Sequence, residues 1–256
     1  MTPLAFTFVT DTVTHPGKVR KVNEDSLFAR PKYGIWLVAD GMGGHRDGNI
    51  ASAMIAEAAG HLTGGKTLVA DFVACIKDVN QRLIGMSNGV HEQIVGSTVN
   101  ALIIQGTRFS CLWAGDSRCY LIRAGALSQI SRDHTEAEEL LYAGAITAQE
   151  AKAWPRRNVI TRAVGAAQDI ELASSEGDVE PGDMFILCSD GLTTHVSDPE
   201  ILNLAASAAP QIICEKLLQL ALERGGKDNI SIIVLQALER DVTQVLNRSW
   251  GEARGT

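Results

Sequence analysis

The alternation of apolar and polar stretches along the chain predicts many short strands. Buried strands are indicated by continuous apolar runs at 35–39 and 184–188, each of which leads into an Asp-Gly pair. Shorter runs add further strands, and two of them flank Ala124-Gly125-Ala126 as a hairpin. The predicted strands cover 35–39, 96–105, 109–114, 119–123, 127–130, 184–188 and 230–235.

Helices are predicted between these strands. One begins with Asn49 as a candidate N-cap, and another carries Asp71 in its first turn, where a negative charge suits the helix dipole. The predicted helices cover 49–62, 68–85, 136–142, 199–206 and 211–224. Because strands cluster in hairpins and helices come in pairs, the pattern indicates an α+β layered domain. Periodicity does not fix the number of sheets.

Composition narrows the class of protein. The chain has 256 residues, of which 45% are hydrophobic, and a formal net charge of -7. This charge argues against a nucleic-acid partner, which requires a basic face, and against electrostatic docking on anionic membranes. The chain contains neither an apolar run of about 18 residues nor a secretory signal pattern. We therefore expect no membrane partner and a cytoplasmic location.

The cysteines support the same location. The five residues are odd in number, scattered and free of any Cys-x-x-Cys pair. Such spacing is typical of thiols that stay reduced and pack as small core residues. A zinc site is not expected from it.

Acidic residues follow or precede several predicted strands. Aspartates stand beside four strand ends, and an acidic pair lies near the N-terminus: Asp40, Asp116, Asp190, Asp228 and Glu24-Asp25. At any one position a turn is favoured roughly two to one over a ligand, because Asp-Gly and Asp-Asn commonly close hairpins. Turns do not explain the whole group. Carboxylates suit Mg²⁺ and Mn²⁺, and without a cation they would repel one another.

Eight segments resemble the motifs of the type 2C, or PPM, metal-dependent protein phosphatases, and look closest to their bacterial branch. They follow the family's order and cover roughly residues 7–235. The segments are 20–25, 38–45, 96–98, 114–118, 133–134, 157–165, 188–192 and 227–231. The resemblance implies a four-layer α-β-β-α sandwich, in which two antiparallel sheets are flanked by helices. It implies one catalytic domain over 1–240, followed by a polar tail over 241–256.

The resemblance also implies metal ligands. Asp40 would bridge two Mn²⁺ or Mg²⁺ ions, with the Gly41 carbonyl on one of them, and Asp190 and Asp228 would complete the other. Asp116 would help to bind a third, weaker ion. The implied metal residues are Glu24, Asp25, Asp40, Gly41, Asp116, Asp190 and Asp228. Glu24 and Asp25 would act through metal-bound waters.

The implied reaction is hydrolysis of phosphoserine and phosphothreonine on proteins, including a serine/threonine kinase and its substrates. Arg20 would grip the substrate phosphate, and the implied catalytic set is Arg20, Asp40, Asp190 and Asp228. The alternative for Arg20 is a surface ion pair with Glu24 or Asp25. Two other functions stay open: a regulatory pseudophosphatase that binds phosphoproteins, and another metal-dependent phosphoesterase such as a nuclease.

The sequence departs from the family pattern at two places. Met42 stands where many eukaryotic members have a histidine that is proposed as the general acid. The nearest substitutes are His45 and His134, and both are interpreted first as locally hydrogen-bonded loop residues, His134 in a surface flap. Gly96-Ser97-Thr98 replaces a frequent Gly-Thr-Thr, which is a mild change.

Overall fold

The computed structural model describes residues 4–43, 47–90, 95–206 and 208–240. Within these ranges the strands are β1 (Phe6–His15), β2 (Asp25–Arg30), β3 (Ile35–Met42), β4 (Gly96–Ser97), β5 (Val99–Gln105), β6 (Arg108–Ala114), β7 (Arg118–Arg123), β8 (Ala126–Gln129), β9 (Ala173–Asp178), β10 (Met184–Cys188) and β11 (Ile230–Glu239). The helices are α1 (Asp47–Gly60), α2 (Leu68–Val90), α3 (Glu136–Tyr142), α4 (Ala148–Ala153), α5 (Asp190–Thr193), α6 (Asp198–Ala205) and α7 (Pro210–Glu223).

The strands form two antiparallel sheets. One has the order β1-β11-β10-β7-β8, and the other has the order β2-β3-β5-β6-β9 with β4 added beside β3. Helices α1 and α2 pack on the outer face of the second sheet, and α5, α6 and α7 pack on the outer face of the first. A third apolar layer lies between the sheets. The predicted four-layer α-β-β-α sandwich is confirmed.

The first five residues of β3, 35–39, are all apolar because both faces of the strand are covered. Trp36 and Val38 face the opposite sheet, and Trp36 meets Phe8 edge to face with ring centroids 5.0 Å apart. Ile35 and Leu37 point the other way, into the layer beneath α1 and α2. Because both faces of the strand are covered, a period of two is lost from its hydrophobic pattern.

Strand β10 repeats this arrangement in the other sheet. Phe185 and Leu187 enter the layer between the sheets, and Ile186 packs toward the helices with Ile213 and Leu217 of α7. In both strands the apolar run leads to an Asp-Gly pair. Asp40 and Gly41 lie in the last part of β3, and Asp190 and Gly191 follow β10 after Ser189.

The structure adds elements that the hydrophobic pattern did not predict. Strands β1, β2 and β9 and helices α4 and α5 were missed. The three strands lie at sheet edges, and in β1 and β9 about half of the residues face water. The predicted strand 96–105 is interrupted at Thr98. Asn49 lies inside α1, which begins at Asp47, so its prediction as an N-cap is wrong.

The structure bears on the expectations about the cysteines and about membrane-spanning helices. The five cysteines are unpaired, and four of them are buried. Among the described helices, none is long and apolar enough to cross a membrane. The predicted polar tail, 241–256, lies outside the described residues.

Candidate functional site

The predicted acidic residues meet at one end of the sandwich. Asp25 opens β2 and stands directly opposite Asp40 in the register of β2 and β3. Asp190 opens α5 immediately after β10, and Asp228 precedes β11. Asp116 lies on the connection between β6 and β7, which belong to different sheets. A cleft of about 370 Å³ is lined by Arg20, Glu24, Asp40, Gly41, Asp116, Asp190 and Asp228, among others.

The alternative that the Asp-Gly pairs close hairpins fails at two of these positions. Asp40 and Gly41 lie within β3, and Gly41 also pairs with Ser97 of β4. Asp190 and Gly191 form the first turn of α5. These aspartates are therefore presented by regular structure, and their side chains need another explanation.

Glycine is required where the chain segments of the cleft approach one another. A Cβ on Gly41 would lie 2.0 Å from the carbonyl oxygen of Gly48 and 2.7 Å from that of Glu24. The Gly41 N–H donates to the same Glu24 carbonyl at 3.1 Å. The end of β3, the start of α1 and the loop before β2 thus meet at a point that has no room for a side chain.

Three carboxylate oxygens in the cleft region have no hydrogen-bond partner. They are Glu24 Oε1, Asp25 Oδ1 and Asp116 Oδ1, and they make up the whole set of such buried side-chain atoms within the described residues. A buried oxygen without a donor is costly, so unpaired groups of this kind call for a ligand. That all three belong to predicted metal residues points to a cation.

The carboxylates of the cluster repel one another when they are ionised. Burial raises the pKa of Asp40 well above its usual value, and the neighbouring charge of Asp25 adds to the shift. Burial, reinforced by nearby aspartates, raises the pKa of Asp25 and Asp190 to about 6 each and that of Asp116 to about 7. A divalent cation would remove this repulsion and favour the ionised carboxylates.

The residues present fit Mg²⁺ or Mn²⁺. Within the described ranges, no group of three or more acidic, histidine or cysteine side chains closes into a ready-made protein cage for an ion. Mg²⁺ in particular retains several waters and is held through one or two carboxylates, so an open, all-oxygen cluster suits it. The individual assignments of Glu24, Asp25, Asp40, Gly41, Asp116, Asp190 and Asp228 stay predictions.

The sequence alone did not indicate a role for two residues that support the cluster, Asn229 and Ser189. The Asn229 side chain accepts from the Glu24 N–H at 2.8 Å and donates to the carbonyls of Pro16 and Val22, each at 3.0 Å. Ser189 Oγ donates to Asp25 Oδ2 at 2.8 Å. Both adjoin a predicted metal residue inside a matching segment, which was the available signal.

Arg20 lies at the mouth of the cleft and pairs with a carboxylate of the cluster. Its Nη2 donates to Asp228 Oδ2 at 2.8 Å, and the two side chains are 52% and 39% exposed. The alternative, a surface ion pair with Glu24 or Asp25, is therefore wrong about the partner, which is Asp228. A pair this exposed contributes little to stability, which leaves the guanidinium available to a ligand.

The histidine expected in a surface flap is buried. His134 accepts a hydrogen bond from the Gly115 N–H at Nδ1 (3.2 Å) and stacks on Trp113. Burial lowers the pKa of His134 to about 4, with Arg162 adding to the shift, so the imidazole is neutral at pH 7. The flap location was wrong, whereas the local hydrogen bond is confirmed. The other candidate, His45, lies outside the described residues.

Comparison with known proteins gives consistent matches. The Protein phosphatase 2C family matches residues 17–227. The chain is 35% identical over 234 residues to serine/threonine protein phosphatase PstP of Mycobacterium tuberculosis. The matched region is 89% of this chain and 45% of that protein. The chain thus spans about half the length of that relative.

Two solved structures share the fold. One is PppA, described as a key regulatory component of T6SS in Pseudomonas aeruginosa, with a TM-score of 0.83, 38% identity and coverage of 90% of this chain and 98% of that one. The other is the catalytic domain of PstP in complex with two manganese ions, with a TM-score of 0.82, 32% identity and coverage of 91% and 99%.

Proposed function

The chain belongs to the protein phosphatase 2C family, and from that membership we propose that it hydrolyses phosphoserine and phosphothreonine on proteins. Two Mn²⁺ or Mg²⁺ ions would occupy the acidic cleft, with a third bound more weakly. The observation that carries the proposal is the set of three buried carboxylate oxygens without partners, all in this cleft region. The manganese-bound PstP domain supports the choice of ion.

The aspartates of the cleft would divide the ions among them. Asp40 would lie between the two core ions, joined on one side by the Gly41 carbonyl and on the other by Asp190 and Asp228. Bound ions of this kind lower the pKa of a water molecule until it can attack phosphorus at neutral pH. Glu24 and Asp25 would orient metal-bound waters. Ser189 would hold Asp25 through its carboxylate, and Asn229 would hold Glu24 through its backbone N–H.

Arg20 would bind the substrate phosphate. The planar guanidinium matches phosphate oxygens in a two-bond geometry that lysine lacks. Its contact with Asp228 holds it at the cleft mouth, next to one of the aspartates that would bind metal. As charge develops on the equatorial oxygens, Arg20 would stabilise it.

Arg20→Ala is expected to weaken binding of substrate and of inorganic phosphate while metal affinity and melting temperature stay nearly unchanged. If Arg20 binds ground and transition states alike, KM rises and kcat holds. If it tightens on developing charge, kcat also falls, by about 10- to 100-fold. A Michaelis curve and a phosphate inhibition constant measure both effects.

Arg108→Ala is the matched control for this experiment. Arg108 also forms exposed ion pairs, with Glu176 and Asp178, on the β6–β9 ladder. Its loss should leave the phosphate inhibition constant unchanged, and Arg20→Lys should restore Arg20→Ala only partly. An unchanged inhibition constant in Arg20→Ala, with a lowered melting temperature, would make Arg20 a structural ion-pair partner.

Asp116→Ala is expected to slow turnover without emptying the two core ion sites. Asp116 lies on the connection between the two sheets, whereas Asp40 lies in β3, Asp190 opens α5 and Asp228 precedes β11. Mn²⁺ calorimetry should show loss of the weakest site alone, and the exposed Asp169→Ala should show no loss. Equal weakening of every site would contradict this separation.

Four substrates distinguish the competing functions. A pseudophosphatase has no use for a charged cluster, and the aspartates at 40, 190 and 228 are all present. A nuclease would act on phosphodiesters, which the net charge of -7 disfavours. Phosphate release should occur from phosphoserine and phosphothreonine peptides and from an aryl phosphate, but not from a bis-aryl phosphodiester. Binding of phosphopeptide without release would favour the pseudophosphatase.

The proposed protein partners are phosphorylated proteins, including a serine/threonine kinase and the targets of that kinase. The names of the relatives, which are serine/threonine phosphatases, support this proposal. The proposed location is the cytoplasm, where the unpaired cysteines would stay reduced.

A further inference from the structure

Thr98 lies in the break between β4 and β5 and is fully buried. Its N–H donates to the Asp40 carbonyl at 2.8 Å, and its Oγ1 accepts from the Asp40 N–H at 3.0 Å. Ser97 Oγ donates to the same Asp40 carbonyl at 3.0 Å. Both main-chain polar groups of Asp40 are therefore held by this short segment, which fixes the point from which the carboxylate extends.

The Thr98 side chain also contacts both sequence neighbours of Asp116. Thr98 Oγ1 and Ser117 Oγ are hydrogen-bonded at 2.8 Å, and Ser117 is itself buried. On the other side, Gly115 has a φ of +110°, and a Cβ there would lie 2.6 Å from Thr98 Cγ2. Thr98 thus brackets Asp116 by a hydrogen bond on one side and by close packing on the other.

One hydroxyl serves both connections. Because Thr98 Oγ1 already accepts from the Asp40 N–H, its own proton is free to be donated to Ser117 Oγ. His134 holds the Gly115 backbone independently, through its Nδ1 and its own N–H. Losing the Thr98 hydroxyl should therefore displace the β6–β7 connection rather than unfold it.

From these contacts we propose that Thr98 is a positioning residue that sets the separation between the Asp40 and Asp116 carboxylates. The inference rests on the proposed function, which assigns Asp40 to the core ions and Asp116 to the outer one. Asp116 lies two residues beyond Ala114, where the ladder that runs from β3 through β5 to β6 ends. Asn100 Nδ2 of β5 donates to the neighbouring Ser117 carbonyl at 2.8 Å, and the Thr98 hydroxyl adds the direct link to Asp40. Metal sites require such support to within about 0.5 Å.

The test is Mn²⁺ calorimetry on the full chain with Thr98→Val, which keeps the shape and removes the hydroxyl. We expect the affinity of the weakest Mn²⁺ site to fall by about 10- to 100-fold, the range for removing a group that supports a metal ligand. The kcat for an aryl phosphate should fall with it, while KM stays nearly unchanged. Thr98→Ser keeps the hydroxyl and should stay close to the unsubstituted protein in Mn²⁺ affinity and kcat.

Thr10→Val is the matched control. Thr10 Oγ1 accepts a hydrogen bond from Trp36 Nε1 at 3.1 Å, so its substitution also removes a threonine hydroxyl from a hydrogen bond between neighbouring elements. It should lower the melting temperature and leave every Mn²⁺ site unchanged. If Thr98→Val does not fold, Ser117→Ala removes the other end of the link and should weaken the same outer site.

The outcomes separate this inference from the proposed function. Thr98→Val and Ser117→Ala with unchanged Mn²⁺ affinities, whatever their melting temperatures, would overturn the positioning role. A protein that binds Mn²⁺ in a Thr98-dependent manner but releases no phosphate from any substrate would uphold the positioning role and overturn the phosphatase. A protein that binds no Mn²⁺ would overturn both.

Discussion

Asp190→Asn and Asp228→Asn are each expected to abolish turnover while the fold survives. Each change keeps the shape of the side chain and removes a charge that would hold one of the core ions. Loss of an ion that activates the nucleophile should cost about a thousandfold or more in kcat, which is roughly 4 kcal/mol of barrier. The measurement is phosphate release under saturating Mn²⁺, together with the melting temperature in chelator.

The control for these variants is Asp169→Asn, at an exposed aspartate that lines a different surface pocket and not the acidic cleft. It should retain full turnover. In chelator the melting temperature of Asp190→Asn should be no lower than that of the unsubstituted protein, because the change removes a like charge from a crowded cluster. Turnover within about tenfold of normal, only 1.4 kcal/mol of barrier, would show that these aspartates are not metal ligands.

Gly41→Ala is expected to damage both stability and turnover. The added Cβ would lie 2.0 Å from the Gly48 carbonyl oxygen and 2.7 Å from the Glu24 carbonyl oxygen, and both contacts are backbone. Relief requires β3 and α1 to separate, which should cost about 3 kcal/mol of unfolding free energy. The same shift would displace Asp40 from Glu24 and lower kcat by roughly a hundredfold.

Gly85→Ala gives a control of opposite sign. Gly85 lies in the exposed face of α2, and a Cβ there would meet nothing within 4 Å. Alanine at this position should stabilise the protein by about 0.5–1 kcal/mol and leave turnover unchanged. Denaturant unfolding of both variants measures the difference, and a Gly41→Ala protein as stable as the unsubstituted chain would contradict the close packing.

The hydrophobic pattern predicts the centre of the fold better than its edges. Strands β3 and β10 are continuous apolar runs because helices cover one face and the opposite sheet covers the other. Edge strands β1 and β9 alternate with polar residues and resemble loops, since half of their side chains face water. The number of sheets came from the family resemblance, because local periodicity carries no information about pairing between distant strands.

The acidic residues of the site have a chemical signature in the sequence, whereas the roles of the residues that support them do not. An aspartate after an apolar run has a local signature, and several together indicate a cation. The role of Thr98 depends on Asp40, which lies 58 positions away, and that of Asn229 depends on Glu24, 205 positions away. Only the folded chain brings such partners together, so hydroxyl and amide side chains of this kind look like ordinary turn residues.

The central claim is that the acidic cleft works only with divalent cations bound. Its most direct test is phosphate release from a phosphothreonine protein by metal-stripped enzyme, titrated first with Mn²⁺ and then with EDTA. The account predicts no release without metal, saturable activation by Mn²⁺ and complete loss on chelation that excess Mn²⁺ reverses. An all-oxygen cluster would hold such ions through few carboxylates and many waters, so a chelator should remove them. Full turnover after exhaustive EDTA treatment would contradict it.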